Sequence, residues 1–316
     1  MNNKIAILDT GYDSYAYEKE LFSRNGFDLI IYDGPVRDRS KKYMFARDAV
    51  GILVRELLID EQALEIMQGV KAIVRYGVGY DNIDLNASRK RNIRVANVQG
   101  YANHSVSDHA LALMFSCTRD VKGSKRGAFS RPSRLDMFEL HNRTIGIIGI
   151  GRIGSQFSSK VSLLFKRVLA CDPYKTTDYI KNSGAEKVGL STLLRESHVI
   201  SLHCNLTAET RHMLDKSAFD QMKEKPVIIN TSRGPVIDET ALLNALNSGL
   251  IHSAGLDVFE LEPPGEEQMP LLNHPYVVYT QHIAWYSNTS IVTLQRKAAR
   301  NLMSLLKGEQ IEDELN

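Results

Sequence analysis

Short apolar runs alternate with longer amphipathic stretches along most of the chain. Continuous apolar runs predict buried strands, and apolar residues spaced three or four positions apart predict helices. Strands that alternate with helices are typical of βαβ units in a parallel sheet. In the first part of the chain the predicted strands are Lys4–Asp9, Asp28–Tyr32, Ala49–Val54, Ala72–Arg75 and Arg94–Asn97, and the predicted helices are Tyr17–Arg24 and Glu61–Met67.

A longer amphipathic stretch, Ser105–Arg119, predicts a helix that leads into a second series of strands and helices. We expect the last predicted helix, Ser290–Leu306, to pack on the first series, because one helix cannot form a core alone. The pattern thus predicts two α/β domains, of residues 1–101 with 284–316 and of residues 102–283. The second series has predicted strands at Thr144–Gly149, Val168–Asp172, Val199–His203, Val227–Thr231, Ala254–Asp257 and Val277–Thr280, and its predicted helices include Ile153–Phe165 and Glu239–Asn247.

The composition agrees with two globular domains and names no polymeric partner. A length of 316 residues is about two typical domains. The 39 Lys and Arg against 37 Asp and Glu leave a net charge of +2, so we expect no binding to nucleic acid or to a membrane. No signal-peptide pattern is present, and three scattered cysteines indicate reduced thiols in the cytoplasm. We predict no metal site, and we interpret the basic cluster from Arg119 to Arg134 as a solvated face.

A glycine motif follows the first strand of the second series. Gly149, Gly151 and Gly154 have the G-x-G-x-x-G spacing between an apolar strand and a helical pattern. In that context the first glycine allows a tight turn, the second lets the backbone approach a pyrophosphate, and the third allows close helix packing. Asp172 ends the next predicted strand, where a carboxylate binds the adenosine ribose and repels a 2′-phosphate. The motif predicts an NAD site, and its structural alternative is close packing without a ligand.

Three polar side chains follow later strands of the second series. They are Arg233, Glu262 and His282. The carboxyl ends of parallel strands border the ligand crevice of an open sheet, so these side chains are candidates to converge beside a nicotinamide. Each also has an ordinary structural explanation, as a surface cation, a solvated acid or a hydrogen-bonded core histidine. The strand pattern alone leaves that choice open.

The candidate residues named above lie within longer sequence motifs, and one further motif lies upstream of them. These motifs are Arg75–Asp84, Gly149–Gly154 with Asp172–Tyr174, Asn230–Asp238, Gly255–Pro263 and His282–Tyr286. Together they closely resemble the motifs of the D-isomer-specific 2-hydroxyacid dehydrogenase family. Within that family they are most similar to the C-terminal binding protein and phosphoglycerate dehydrogenase-like branch. The resemblance implies two doubly wound parallel-sheet domains, a Rossmann NAD-binding domain inserted in a flavodoxin-like substrate domain. It also implies NAD as the cofactor and a homodimer.

The resemblance assigns roles to the three candidate side chains. Arg233 would bind the substrate carboxylate through its planar fork of donors. His282 would be the general acid in reduction and the base in oxidation, and Glu262 would orient the imidazole and favour its charged form. The resemblance further places Arg75, Val78, Gly79, Tyr101 and Trp285 at the substrate, with simple packing as the alternative for Trp285. It places Gly149, Gly151, Arg152, Ile153, Gly154, Asp172, His203, Thr231 and Asp257 at the cofactor.

The sequence therefore predicts an NAD-dependent oxidoreductase. It would transfer a hydride between the nicotinamide and a small pair of D-2-hydroxy acid and 2-oxo acid. One alternative is an NAD(H)-sensing regulatory scaffold of the C-terminal binding protein type, because those proteins keep the same three side chains. A second alternative is a phosphite dehydrogenase-like oxidoreductase. We expect no regulatory domain after residue 316.

Overall fold

The computed structural model describes residues 3–119, 121 and 137–316. The chain divides into two compact units, one of Met1–Ala102 with Ser287–Asn316 and the other of Asn103–Tyr286. Most of the basic cluster from Arg119 to Arg134 lies outside the described residues. In the described ranges, no helix is both long enough and apolar enough to cross a membrane.

Strands and helices alternate through both units. The strands are β1 (Lys4–Ile7), β2 (Asp28–Ile31), β3 (Ala49–Val54), β4 (Ala72–Arg75), β5 (Arg94–Ala96), β6 (Thr144–Ile148), β7 (Arg167–Cys171), β8 (Glu186–Lys187), β9 (Val199–Leu202), β10 (Val227–Asn230), β11 (Ser253–Leu256) and β12 (Val277–Tyr279). The helices are α1 (Ala16–Arg24), α2 (Arg39–Phe45), α3 (Glu61–Ile66), α4 (Leu85–Lys90), α5 (Asn103–Thr118), α6 (Arg152–Val161), α7 (Thr177–Asn182), α8 (Leu190–Glu196), α9 (Lys216–Asp220), α10 (Glu239–Asn247), α11 (Met269–Leu272) and α12 (Asn288–Leu306).

Each unit is built on a parallel sheet. Among the described residues, the first sheet has the strand order β2-β1-β3-β4-β5, which is the flavodoxin-like order. The second has the order β12-β11-β10-β9-β6-β7-β8, in which the connections change direction between β6 and β9. All pairings of these named strands are parallel. The predicted fold class, two doubly wound parallel-sheet domains, is confirmed.

Burial on both faces explains why the strands were visible as apolar runs. Every residue of β3, β6, β9, β10 and β11 is buried. Helices cover both faces of a parallel sheet, so its inner strands have no polar face and show no alternation. In the first unit, α12 packs against β3, β4 and α1. The last helix thus completes the core of the unit in which the chain begins.

One predicted helix is too long. The pattern predicted a helix over Ile153–Phe165, but α6 ends at Val161. Leu163 is almost fully exposed while Phe165 is buried, because the chain turns after Ser162 and directs the phenyl ring into the core. The hydroxyl of Ser162 donates to the carbonyl of Ser159 at 2.9 Å, which stabilises this turn.

A buried ion pair lies where β1 and β3 end. The Asp9 carboxylate accepts a hydrogen bond from Lys42 Nζ at 2.6 Å, and both side chains are less than a tenth exposed. Its second oxygen accepts the backbone N–H groups of Arg55, Glu56 and Leu57 at 2.8–2.9 Å. Burial raises the pKa of Asp9, but Lys42 and the three N–H groups outweigh it, so the pKa is lowered. The pair therefore stabilises the fold at neutral pH and loses that contribution as the pH falls below the ordinary aspartate range.

We predict that Lys42→Met lowers the free energy of unfolding by about 3–5 kcal/mol, because it leaves a buried, unpaired carboxylate. Chemical denaturation at pH 7 measures this change. The neighbouring Lys41→Met is the control: Lys41 pairs with Asp38 at 3.3 Å on the surface, so its loss costs at most about 1 kcal/mol. Equal effects of the two substitutions would contradict the importance of the buried pair.

Candidate functional site

The imidazole of His282 is hydrogen-bonded to a carboxylate. His282 follows β12 with a left-handed backbone, φ 53°, and its N–H donates to the Asp257 carbonyl at 2.7 Å. Its Nδ1 lies 2.6 Å from Oε2 of Glu262. A carboxylate only accepts hydrogen bonds, so Nδ1 is the donor and Nε2 is left to exchange a proton. Oε1 of Glu262 accepts the Phe259 N–H at 3.0 Å, which fixes the carboxylate in turn.

Glu262 is ionised in this arrangement. Burial raises the pKa of its carboxyl group, but the hydrogen bond and charge of His282 and the Phe259 N–H lower it. The positive charge of Arg233 lowers it further, and the net pKa lies below the ordinary glutamate value. Arg233 therefore lies within electrostatic range of the Glu262 carboxylate. The structure brings together all three side chains that the sequence predicted to be catalytic.

The backbone around Arg233 is shaped by its neighbours. Oδ1 of Asn230, the last residue of β10, accepts the N–H and hydroxyl of Ser232 at 3.0 and 2.8 Å. Its Nδ2 donates to the Arg233 carbonyl at 3.0 Å. A Cβ at Gly234 would lie 1.9 Å from the carbonyl of Phe259, so this glycine lets the loops after β10 and β11 touch. The loop that carries Arg233 thus contacts the loop that carries Glu262.

Asp257, the residue after β11, supports the same loop. Its carboxylate is almost fully buried. Oδ1 accepts the Thr280 hydroxyl at 2.5 Å and the Ile283 N–H at 2.9 Å, and Oδ2 accepts the Ala284 N–H at 2.9 Å. The carboxylate therefore binds residues on both sides of His282.

The glycine motif forms a compact turn between β6 and α6. Gly149 has φ 86°, and a Cβ there would lie 2.6 Å from the Cys204 nitrogen. A Cβ at Gly154 would lie 2.1 Å from the carbonyl oxygen of Gly149. At Gly151, the N-cap of α6, nothing lies within 4 Å of a Cβ position. The backbone is thus tightly packed on the inside and open where the helix begins, which is the arrangement that receives a pyrophosphate.

The acid predicted at the ribose is also bonded to this turn. Oδ2 of Asp172 accepts the Ile150 N–H at 2.9 Å, and Oδ1 accepts the Tyr174 N–H at 2.9 Å. Arg152 is exposed and Ile153 is half-buried in the first turn of α6. Asp172 therefore helps to hold the turn in shape, and its remaining lone pairs are available to a hydroxyl donor.

Among the buried side-chain atoms that lack a hydrogen-bond partner in the described residues, two lie directly after strands of the second sheet. They are Oγ1 of Thr231 and Nδ1 of His203, which follow β10 and β9. Burial lowers the pKa of His203 to about 3, so the ring is neutral; its Nε2 lies 2.9 Å from Ser201 Oγ. An unsatisfied buried polar atom costs about 1–3 kcal/mol. His203 also packs against the glycine turn, since a Cβ at Gly154 would lie 3.4 Å from its own Cβ, so these atoms fit a site in which a dinucleotide supplies the missing partners.

In the first unit, Arg75 lies against the loop that was predicted to bind substrate. Its Nε donates to the Arg55 carbonyl at 3.0 Å. A Cβ at Gly77, φ 139°, would overlap the Arg75 guanidinium at 1.5 Å, so the glycine makes room for that group. The carbonyl of Val78 accepts a hydrogen bond from Asn97 Nδ2 at 2.6 Å, which fixes the loop. Gly79 and Tyr101 are half-buried in the same unit.

Trp285 packs on the backbone of the histidine loop. Its Nε1 donates to the His282 carbonyl at 2.9 Å, and its ring meets Tyr286 edge-to-face at 5.6 Å. This contact supports the packing explanation, and a substrate role for Trp285 stays a prediction. In residues 3–119, 121 and 137–316, no group of three or more His, Cys, Asp or Glu side chains is placed to hold a metal ion.

Comparison with known proteins agrees with this geometry. Residues 110–284 match the family model for the NAD-binding domain of D-isomer-specific 2-hydroxyacid dehydrogenases. The chain belongs to this family. The matched residues include the glycine turn, Asp257 and the Glu262–His282 pair. The prediction of the family and of NAD as its cofactor is confirmed.

Similar proteins carry several names. The D-3-phosphoglycerate dehydrogenase of Archaeoglobus fulgidus is 32% identical over 93% of this chain, which spans only 56% of that protein's length. The D-lactate dehydrogenase of Escherichia coli is 31% identical over 99% of both chains. A crystal structure of D-lactate dehydrogenase from Aquifex aeolicus, complexed with NAD and lactic acid, has a TM-score of 0.86 and 30% identity and covers 97% of this chain and 96% of that one. The chain therefore spans about half the length of the phosphoglycerate dehydrogenases that it matches.

Sequence reasoning missed several residues that shape the site of this family member. Thr280, Asn230 and Gly234 were named only as parts of strands or motifs. All three lie at or just after the end of a strand, where a polar residue or a glycine is a signal of contact between loops. Asp257 was predicted at the cofactor; the structure shows its carboxylate accepting three hydrogen bonds from Thr280, Ile283 and Ala284, and its role at the cofactor stays a prediction.

We predict that Gly154→Ala prevents the turn from closing, because a methyl group would overlap the Gly149 carbonyl. Titration with NADH, followed by fluorescence, should show affinity reduced at least about tenfold, together with a lower unfolding midpoint. Gly189→Ala is the control, since this glycine of the same unit, at the N-cap of α8, has nothing within 4 Å of its Cβ position. Equal NADH affinity in both variants would contradict the assignment of the glycine turn to the cofactor site.

Proposed function

We propose that the protein is an NAD-dependent D-2-hydroxyacid dehydrogenase that interconverts a small 2-hydroxy acid and its 2-oxo acid. The observation that carries the proposal is the Glu262–His282 hydrogen bond beside Arg233, in the same unit as the glycine turn. The nicotinamide, when bound, supplies or accepts the hydride at C2. The chain's own residues must then bind a carboxylate and move one proton.

The three side chains divide this work. Arg233 binds the substrate carboxylate through paired N–H donors and polarises the neighbouring carbonyl. His282 donates the proton on Nε2 to the carbonyl oxygen as the hydride arrives at C2, and it removes that proton in the reverse direction. Glu262 stabilises the charged imidazole and keeps Nδ1 as its donor. Reduction thus consumes one hydride and one proton for each 2-oxo acid.

We assign the cofactor to the open side of the glycine turn. The first turn of α6, with Gly151, Arg152 and Ile153, faces the pyrophosphate, because helix N–H groups and the helix dipole favour anions there. Asp172 accepts from the adenosine ribose. His203, Thr231 and Asp257 serve the ribose and nicotinamide part, and the atoms without partners at His203 and Thr231 support this assignment.

We assign substrate recognition in the first unit to Arg75, Val78, Gly79 and Tyr101. The Arg75 guanidinium over Gly77 and the fixed carbonyl of Val78 support this assignment. In the second unit, Trp285 is assigned to the same task. A homodimer, which the family resemblance implies, belongs to the same proposal.

The direct test is a spectrophotometric assay of NADH oxidation with a panel of 2-oxo acids: glyoxylate, pyruvate, hydroxypyruvate and bulkier members. We expect turnover with at least one of them, and His282→Ala should lower kcat by about 10²–10⁴ while NADH still binds. His141→Ala, an exposed histidine of the same unit, is the control and should not change kcat. NADH binding without turnover on any 2-oxo acid would favour the regulatory scaffold, and turnover of phosphite alone would favour the other alternative.

We predict that Glu262→Gln moves the pH profile of reduction. The carboxylate favours the charged imidazole, so its replacement by a neutral amide should move the half-maximal rate to lower pH. Rates measured from pH 5 to 9 with saturating NADH show this shift. Glu267→Gln, an exposed acid on the same loop, should leave the profile in place. A profile unchanged by Glu262→Gln would mean that Glu262 does not act on the histidine.

A further inference from the structure

A chain of hydrogen bonds connects helix α5 to the loop that carries His282. Nε2 of His109, on α5, lies 2.9 Å from Oγ1 of Thr280. The Thr280 hydroxyl donates to Oδ1 of Asp257 at 2.5 Å, and His109 Nε2 is itself 3.6 Å from that oxygen. All three residues belong to the second unit. His109 and Thr280 have no role in the mechanism described above.

The direction of these hydrogen bonds follows from the donors that each group has. A carboxylate has no proton to give, so the Thr280 hydroxyl must donate to Asp257. That uses the single hydroxyl proton, and Oγ1 can then only accept a hydrogen bond from His109. His109 therefore carries a proton on Nε2, whatever the state of Nδ1. The requirement on position 109 is a donor placed where Nε2 lies.

This chain of hydrogen bonds ends at the backbone of the loop that carries His282. The carbonyl and carboxylate oxygens of Asp257 accept the N–H groups of three successive residues, His282, Ile283 and Ala284, at 2.7–2.9 Å. His282 has a left-handed φ of 53°, a conformation that is disfavoured for a residue with a Cβ. Such a conformation persists only where the surroundings determine it.

The orientation of the Asp257 carboxylate needs its own support. The terminal torsion of an aspartate side chain is broad, so hydrogen bonds decide which oxygen faces which donor. The Thr280 hydroxyl holds Oδ1 directly, and His109 holds that hydroxyl in turn. Helix α5 is held close to β11, because a Cβ at Gly255 would lie only 3.0 Å from Leu113 Cβ and 3.3 Å from Cys117 Sγ. His109 therefore projects from a helix that is packed tightly against the strand preceding Asp257.

We propose that His109 and Thr280 are positioning residues for the dehydrogenase reaction: they orient the Asp257 carboxylate, which holds the His282 backbone so that its imidazole stays on Glu262. Neither residue touches the substrate in this assignment. The proposal rests on the proposed function only in giving His282 the proton transfer. The hydrogen-bond chain itself is independent of the substrate.

Four substitutions separate hydrogen bonding from packing. Thr280→Val and His109→Leu keep most of the volume but remove the hydroxyl or the donor. Thr280→Ser keeps the hydroxyl, and His109→Gln places an amide N–H near the Nε2 position. We expect kcat to fall about 10–100-fold in the Val and Leu variants and to stay within about threefold of the parent in the Ser and Gln variants. His104→Leu, an exposed histidine on the same helix, is the control and should keep the parent rate.

The double variant tests whether the two residues act in one chain. Combining Thr280→Val with His109→Leu should lower kcat no further than the larger single effect, because either change breaks the same connection. If the two losses of kcat multiply in the double variant, the proposed chain of hydrogen bonds is wrong. It is also wrong if the Ser and Gln variants lose as much activity as the Val and Leu variants. Unchanged kcat in all four single variants would also overturn it.

A measurement without substrate distinguishes this proposal from the proposed function. In protein with labelled histidine, the NMR signal that disappears in His282→Gln reports the surroundings of that ring. Its chemical shift should change in the Val and Leu variants, because the ring loosens from Glu262, and it should match the parent in the Ser and Gln variants. An unchanged signal in all variants overturns the positioning proposal. Absence of turnover in the parent, with the change of signal present, would contradict only the proposed function.

Discussion

Parallel pairing places the carboxyl ends of all strands of the second sheet at one edge, and the candidate site depends on this constraint. The first residue after each of five strands is a glycine or carries a polar group, and each is a residue that we assign to the candidate site. These residues are Gly149 after β6, Asp172 after β7, His203 after β9, Thr231 after β10 and Asp257 after β11. The sheet thus gathers residues that are more than a hundred positions apart without any long-range side-chain contact being required.

The sequence predicted the fully buried strands of the fold well. It predicted the edge strand, the short helices and the ends of helices less well. β3 and the inner strands of the second sheet are buried on both faces, so the sequence shows them as uninterrupted apolar runs. β8 is an exposed pair, Glu186–Lys187, at the edge of the sheet, and no apolar run indicates it. The short helices α2 and α4 were missed because polar residues make up more than half of each, so neither shows an apolar stripe. The end of α6 at Val161 depends on a turn that directs Phe165 inward, which periodicity does not show.

The candidate site was predictable as a set of residues but not as a set of contacts. Motifs selected Arg233, Glu262 and His282, yet the 2.6 Å contact of the last two spans twenty positions and arises from the packing of two loops. The contact of His109 with Thr280 spans 171 positions and has no local signal at all. Sequence spacing reports which strand end a residue follows, whereas the partner of its side chain depends on how neighbouring loops and helices pack.

The buried polar atoms of the candidate site fall into two groups. Some have hydrogen-bond partners within the protein, and others have none among the described residues. The buried oxygens of Asp257 are engaged by Thr280 and by the backbone of the histidine loop, so this carboxylate stabilises the folded protein by itself. Thr231 Oγ1 and His203 Nδ1 are equally buried but have no partner among the described residues, so their burial is a cost that folding alone does not recover. A ligand that donates to or accepts from these two atoms would relieve that cost, and its affinity would include the difference. The burial of these two atoms in the free protein and the affinity for a dinucleotide would then be linked, because the ligand would supply hydrogen bonds that the folded chain leaves unmade.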